Sequence, residues 1–233
     1  MNNAVIIACD FNSKDEVVKF LDKFSRGESL YIKIGMELFY AEGSSIIKEI
    51  KDRGHKIFLD LKLHDIPTTV KKAMKVLSNY DIDMVNVHAS GTKNMMKAAI
   101  EGLTRENGER PLLIAVTQLT STSEEVMKED ILIDRSIDDV VVSYAKNAKE
   151  CGLDGVVCSA KEADMVHKHC GNDFLTVTPG IRFTDDEKGD QKRVVTPAMA
   201  KEIGSNFIVV GRSITKADNP VEAYNRCCKD FLG

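Results

Sequence analysis

Short apolar runs alternate with longer amphipathic stretches along the whole chain. Ala4 to Cys9 is an unbroken apolar run that stops at Asp10, as a strand buried on both faces does. Ser13-Lys14-Asp15-Glu16 then has capping-box form, and Val17, Phe20, Leu21 and Phe24 recur at helical spacing. The couplet repeats to the end of the sequence. Leu30 to Gly35 is a second strand with Lys33 in mid-run, either snorkelling to an edge or held by a carboxylate inside, and Ile46, Ile47 and Ile50 stripe a helix from about Gly43 to Arg53. Strand three begins at Lys56 and is followed by a helix over Thr68 to Asn79. Met84 to His88 is strand four, with a helix over Gly91 to Gly102. Pro111 to Val116 is strand five, and a polar connection separates it from a helix striped by Ile137, Val140, Val141, Tyr144 and Ala148. Gly155 to Cys158 is strand six, before a helix opened by a second capping box, Ser159 to Glu162. Phe174 to Thr178 is strand seven, and its helix starts at Thr196-Pro197, an N-cap followed by proline at the first helical position. Phe207 to Val210 is strand eight, and the last helix opens at Asn219-Pro220 with Glu222 in the capping-box place.

Strict alternation predicts a parallel sheet, and eight strand–helix units in this length predict that it closes. The expected fold is α/β, a (β/α)8 TIM barrel over 1–233 as a single catalytic domain without linker or low-complexity break. The alternative is an open doubly wound sheet, weakened by the missing Gly-x-Gly-x-x-Gly after strand one. Charge narrows the partners. The 233 residues carry 32 basic and 36 acidic side chains, net −4, with no basic tail or stripe, so nucleic acid is not expected. No apolar run approaches the roughly 20 residues of a membrane span. Met1-Asn2-Asn3 lacks the charged start of a signal peptide, and a cytoplasmic protein is expected. The six cysteines form no Cys-x-x-Cys pair and read as reduced thiols. His167-Lys168-His169-Cys170 sets its histidines two apart on a helix, where they diverge, so no metal is expected there.

Candidate chemistry enters with strand three. After Ile57-Phe58-Leu59 it places Asp60 and Lys62 two residues apart, so both leave one face while Leu61 and Leu63 point into apolar packing. Asp65 follows, and Pro67 suits the first turn of the next helix. Two carboxylates and an ammonium at one strand end must neutralise one another or surround a charged ligand. Alone, Asp-x-Lys-x-x-Asp reads equally as a structural ion-pair cluster. The barrel shifts that balance, because Asp10, Lys33, Asp60, Lys62, Thr120, Arg182 and Arg212 all fall at C-terminal strand ends, which share one mouth. Loops after strands seven and eight are a common phosphate site on this fold, and here they read Pro179-Gly180-Ile181-Arg182 and Gly211-Arg212-Ser213. Glycine admits an anion to the backbone N–H groups, and arginine adds a forked contact. The connection from Ile181 to Val195 is long for its kind. It reads either as a solvated loop or as a lid closing through Arg182 and Gln191.

Four segments carry a resemblance: Phe58-Leu59-Asp60-Leu61-Lys62-Leu63-His64-Asp65-Ile66-Pro67, Val116-Thr117-Gln118-Leu119-Thr120-Ser121, Thr178-Pro179-Gly180-Ile181-Arg182 and Val210-Gly211-Arg212-Ser213. With Lys33-Ile34-Gly35 and Gln191, they make the sequence similar to the orotidine 5'-monophosphate decarboxylase family over essentially the whole chain. The resemblance implies conversion of orotidine 5'-monophosphate to UMP in pyrimidine biosynthesis. It implies Lys62 as proton donor to C6 of the pyrimidine, Asp60 beside the substrate carboxylate, and Asp65 delivered from a partner subunit. Lys33 would link the carboxylates to the ribose, which Asp10 also binds. Thr120 would lie by the base, Arg182, Gln191, Gly211 and Arg212 on the phosphate, and Ile66 and Thr69 elsewhere in the substrate site. The family acts as a homodimer with two shared sites and uses neither metal nor organic cofactor, so none is expected here.

That chemistry suits the residues, since loss of carbon dioxide strands a carbanion that a fixed ammonium can stabilise and then protonate. Three rivals stay open. One is a Mg²⁺-dependent sugar-phosphate decarboxylase or aldolase, in which the acidic residues hold the metal. Another is a Schiff-base aldolase with Lys62 as nucleophile, which flanking carboxylates oppose. The third is a non-catalytic phosphate-ligand sensor, which would need the phosphate loops but not Lys62 between carboxylates.

Overall fold

The computed structural model describes residues 3–184 and 195–233. Its strands are β1 (Ala4–Ala8), β2 (Tyr31–Gly35), β3 (Lys56–Leu63), β4 (Met84–His88), β5 (Leu112–Val116), β6 (Gly155–Val157), β7 (Leu175–Thr178) and β8 (Phe207–Val210). They pair in parallel in chain order and β8 returns to β1, closing the barrel. The expected (β/α)8 barrel is therefore the fold, and the open sheet is excluded.

Alternation along each strand sorts two cores. Inward side chains, among them Ile6, Tyr31, Phe58, Met84, Ile114 and Phe207, fill the barrel. Outward ones such as Ile7, Ile32, Leu59 and Val85 join the helix stripes, Val17, Phe20 and Leu21 or Ile46, Ile47 and Ile50, in one continuous layer. Leu61 and Leu63 pack into that outer layer, as their alternation predicts.

The N-terminal rim of the barrel is stitched by polar residues lying just before alternate strands. Asp83, before β4, accepts the Ile57 N–H at 2.8 Å. Asp154, before β6, accepts the Leu113 N–H at 2.7 Å, and Asn206, before β8, accepts the Thr176 N–H at 2.9 Å. Each satisfies a strand N–H that the staggered ladder leaves open. This rim carries stability and leaves the opposite one for chemistry.

Three sequence expectations need correction. The helix expected from about Gly43 to Arg53 is present as Ser45–Asp52, but a separate, unexpected helix, Met36–Glu42, precedes it. That helix starts directly from β2 with no side-chain cap and buries only Leu38, so it has neither a start signal nor a stripe. The polar connection after β5 contains a helix, Glu124–Asp130, capped by Ser123, with Met127 its one buried residue. A four-residue helix, Arg212–Thr215, follows β8. Among the described residues no helix is long and apolar enough to cross a membrane.

Candidate active site

Following the inward alternation past Ala8, Tyr31 and Phe58 brings Asp10, Lys33 and Asp60 to the C-terminal mouth. They join Lys62 in a row of alternating charge. The Lys33 Nζ lies 2.9 Å from Asp10 Oδ1 and 3.4 Å from Asp60 Oδ2, while Lys62 Nζ lies 2.7 Å from Asp60 Oδ1. Lys33 and Asp60 are each only 8% exposed, so neither could stay charged without the other. Burial alone would depress the Lys33 ammonium, but Asp60 and Asp10 together outweigh it and hold it above its ordinary value. Burial likewise opposes ionisation of Asp60, and Lys33 and Lys62, with hydrogen bonds from Lys62 and Asn86, overcome it and hold the carboxyl low. Gly35 sits against this row: a Cβ there would lie 3.2 Å from Asp10 Oδ1 and 3.3 Å from Lys33 Nζ.

The pair Asp60 and Lys62 does not come from a regular strand. Leu59 pairs with Val85 and Leu63 with Val87, so three residues of β3 face the single residue Asn86. Lys62 sits at φ +51° in this bulge, a left-handed conformation that costs a non-glycine residue about 1–2 kcal/mol. Asn86, wholly buried, fills the gap: its Oδ1 accepts the Lys62 N–H at 2.8 Å and its Nδ2 donates to Asp60 Oδ1 at 2.7 Å. The apolar spacing of β4 does not single it out. Its only signal is an amide in the middle of the apolar run Met84-Val85-Asn86-Val87. One pleat further on, half-buried His88 has its ring 5.8 Å from that of His64. Burial, then His64 and Lys62, push its imidazole below the ordinary value.

Two cavities meet above the row, sharing Lys33, Pro179 and Val209 as lining. One, of about 350 Å³, holds Asp60, Lys62, Gln118, Thr120 and Ser121 against the apolar walls Phe58, Val116, Val157 and Cys158. The other, of about 520 Å³, sets Lys33, Arg182, Arg212 and Lys216 against the two carboxylates Asp10 and Glu16, with Gly180 and Gly211 also lining it. Gly180 is at φ +80°, which a side chain would resist. Arg182 is 8% exposed, and its N–H donates to the Val195 carbonyl at 3.1 Å. A partly apolar chamber with a lysine–aspartate pair therefore opens into a cationic one. Together they fit a flat ring at one end and an anion at the other.

Asp10, Lys33, Asp60, Lys62, Thr120, Arg182, Gly211 and Arg212 thus lie around one continuous space. Asp65, Ile66 and Thr69 line neither chamber; all three are exposed on the turn and first helical residues after β3. The Asp65 Oδ1 accepts the Ile66 N–H at 2.6 Å, and Ile66 is 66% exposed. Gln191, and with it most of the connection read as a lid, lies outside the described residues. His167 contacts Asn206 Oδ1 at 3.1 Å and His169 the Met165 carbonyl at 3.0 Å. Among the described residues no group of His, Cys, Asp and Glu is placed to hold a metal ion.

Residues 3–227 match the model of the Orotidine 5'-phosphate decarboxylase / HUMPS family. The chain is 57% identical over 236 residues to the orotidine 5'-phosphate decarboxylase of Geobacillus sp. (strain WCH70), covering all of this chain (100%) and 98% of that protein. It is 60% identical over 236 residues to the one from Bacillus mycoides (strain KBAB4), covering 100% of this chain and 99% of that protein. The crystal structure of orotidine 5'-phosphate decarboxylase from Lactobacillus acidophilus superposes with a TM-score of 0.89 at 42% identity, covering 100% of both chains.

Proposed function

This chain belongs to the orotidine 5'-phosphate decarboxylase / HUMPS family, and from that premise we infer that it decarboxylates orotidine 5'-monophosphate to UMP, with Lys62 as proton donor. The observation that carries the reading is the row Asp10, Lys33, Asp60, Lys62 running from the cationic chamber into the partly apolar one. The nucleotide phosphate takes the chamber of Arg182, Gly211 and Arg212, with Gln191 expected beside them. The ribose meets Asp10 and Lys33, and the base enters past Thr120 until C6 faces Lys62.

The bond from C6 to the carboxylate then breaks, its electron pair stays on C6, and carbon dioxide leaves. The Lys62 ammonium stabilises the developing charge, and one N–H bond breaks as the C6–H bond forms. The neutral amine left behind recovers its proton from water. Asp60 and Lys33 are fixed before substrate arrives, so little reorganisation accompanies the charge shift. Binding energy from the remote phosphate is available to hold the ring against Lys62.

Asp65, Ile66 and Thr69 point this reading towards a homodimer with shared sites. An exposed segment carrying a carboxylate and a bare isoleucine beside the mouth suits insertion into a second copy's chamber. Six reduced cysteines, five of them buried, fit the cytoplasm. The test is loss of orotidine 5'-monophosphate absorbance on adding the protein in excess chelator. Full turnover is expected; loss of activity with EDTA and rescue by Mg²⁺ would favour sugar-phosphate chemistry instead.

A further inference from the structure

We propose that Asn86 is a positioning residue for this reaction, its amide presetting both the Asp60 carboxylate and the stretch of backbone that carries the proton-donating Lys62 ammonium. The inference rests on the reading above, in which Lys62 is the donor and Asp60 the carboxylate beside the reacting centre. Asn86 touches both halves of that pair. Its Oδ1 holds the Lys62 N–H at 2.8 Å, and its Nδ2 holds Asp60 Oδ1 at 2.7 Å. The partners fix the amide's orientation: a backbone N–H can only donate and an ionised carboxylate can only accept, so the flipped amide would lose both bonds.

The first bond does mechanical work at the bulge. Lys62 is left-handed there, and its N–H has no ladder carbonyl opposite, because three residues of β3 face one of β4. The asparagine side chain supplies the missing acceptor and so decides where the lysine side chain leaves the strand. Stitching the bulge needs only that bond. The second, to Asp60, is not required to hold the sheet together. It occupies one lone pair of the oxygen that also receives Lys62 Nζ at 2.7 Å, while the other oxygen faces Lys33 at 3.4 Å. With three donors arriving from three strands, the carboxylate has one orientation. The charged and titratable groups around it are Lys33 from β2, Lys62 on its own strand and His88 from β4, with Asp10 acting through Lys33.

Two variants separate positioning from stitching. Asn86→Ala removes both bonds. Asn86→Asp keeps the shape and the acceptor for the Lys62 N–H, but sets a second carboxylate against Asp60. Each is assayed on orotidine 5'-monophosphate for kcat and KM across the pH range, with UMP affinity measured by calorimetry. Asn86→Ala is expected to lower kcat about 10- to 100-fold with UMP affinity within about threefold of native. In Asn86→Asp the two carboxylates should share a proton, moving the acid limb of kcat/KM to higher pH by about one unit or more. Native kcat together with a native acid limb in these variants would overturn the proposal, as would losses confined to KM. Loss of the folded circular dichroism spectrum in both would overturn it too, by making Asn86 a stitch of the sheet. The native chain is assayed alongside. If it leaves the substrate intact, the decarboxylase reading itself fails; if it turns over and the variants match it, only the role of Asn86 does.

Discussion

Lys33 lies on β2 between Ile32 and Ile34, in a run that is otherwise apolar, and two carboxylates surround it. A charge in such a run announces a partner, because isolation there is prohibitive. Lys33 and Asp60 were legible for that reason. Asn86 was not, since a neutral amide in a strand has no such obligation until the register with β3 is known. The arginines are legible by position instead, following glycine at the ends of β7 and β8. If Arg212 contacts the phosphate, Arg212→Ala should cost about 1.5–3 kcal/mol of transition-state stabilisation, a fall in kcat/KM on orotidine 5'-monophosphate of roughly 10- to 160-fold. Orotidine, which lacks the phosphate, should lose far less. Equal losses on the two substrates would make Arg212 a structural residue.

At the scale of elements, the strands were readable because each is buried on both faces and so is a continuous apolar run. Met36–Glu42 and Glu124–Asp130 escaped because each buries a single side chain, leaving no period to see. The bulge in β3 escaped because it is a relation between two strands and not a property of either sequence. The charge row spans β2, β3 and the end of β1, so it should also show in stability. Asp60 is held below its ordinary value of 3.8 and Lys33 above its ordinary 10.5. The unfolded chain therefore takes up the aspartate proton first as pH falls and releases the lysine proton first as pH rises. Stabilisation by the row is full between those two values and fades outside them. Asp60→Asn should cost about 1–3 kcal/mol near neutral pH, measured by urea unfolding. The gap to native should narrow below the ordinary carboxyl value; a gap that widens in acid would contradict the assignment.

For the whole molecule, closure of the barrel sends every C-terminal strand end to one rim, which is why residues from Asp10 to Arg212 meet. The sequence made that convergence visible once eight units were recognised. Strand alternation does not show which groups remain outside the chambers of their own chain; the resemblance does. Asp65 is such a group, and its exposure supports completion of each site by a second copy. Mixing Lys62→Ala with Asp65→Ala protomers tests this. A mixed dimer concentrates both lesions in one site and leaves the other native, so random exchange should restore roughly a quarter of native activity. Confirmed exchange without recovery would place Asp65 within its own chain. Decarboxylation turns on Lys62, and the most direct measurement is single-turnover decarboxylation by Lys62→Ala, paired with calorimetric titration by UMP. We expect the rate to fall by about 10⁴-fold or more, since both the proton donor and the facing positive charge are gone, while UMP still binds through the phosphate chamber. A Lys62→Ala protein that decarboxylates at close to the native rate would contradict the account.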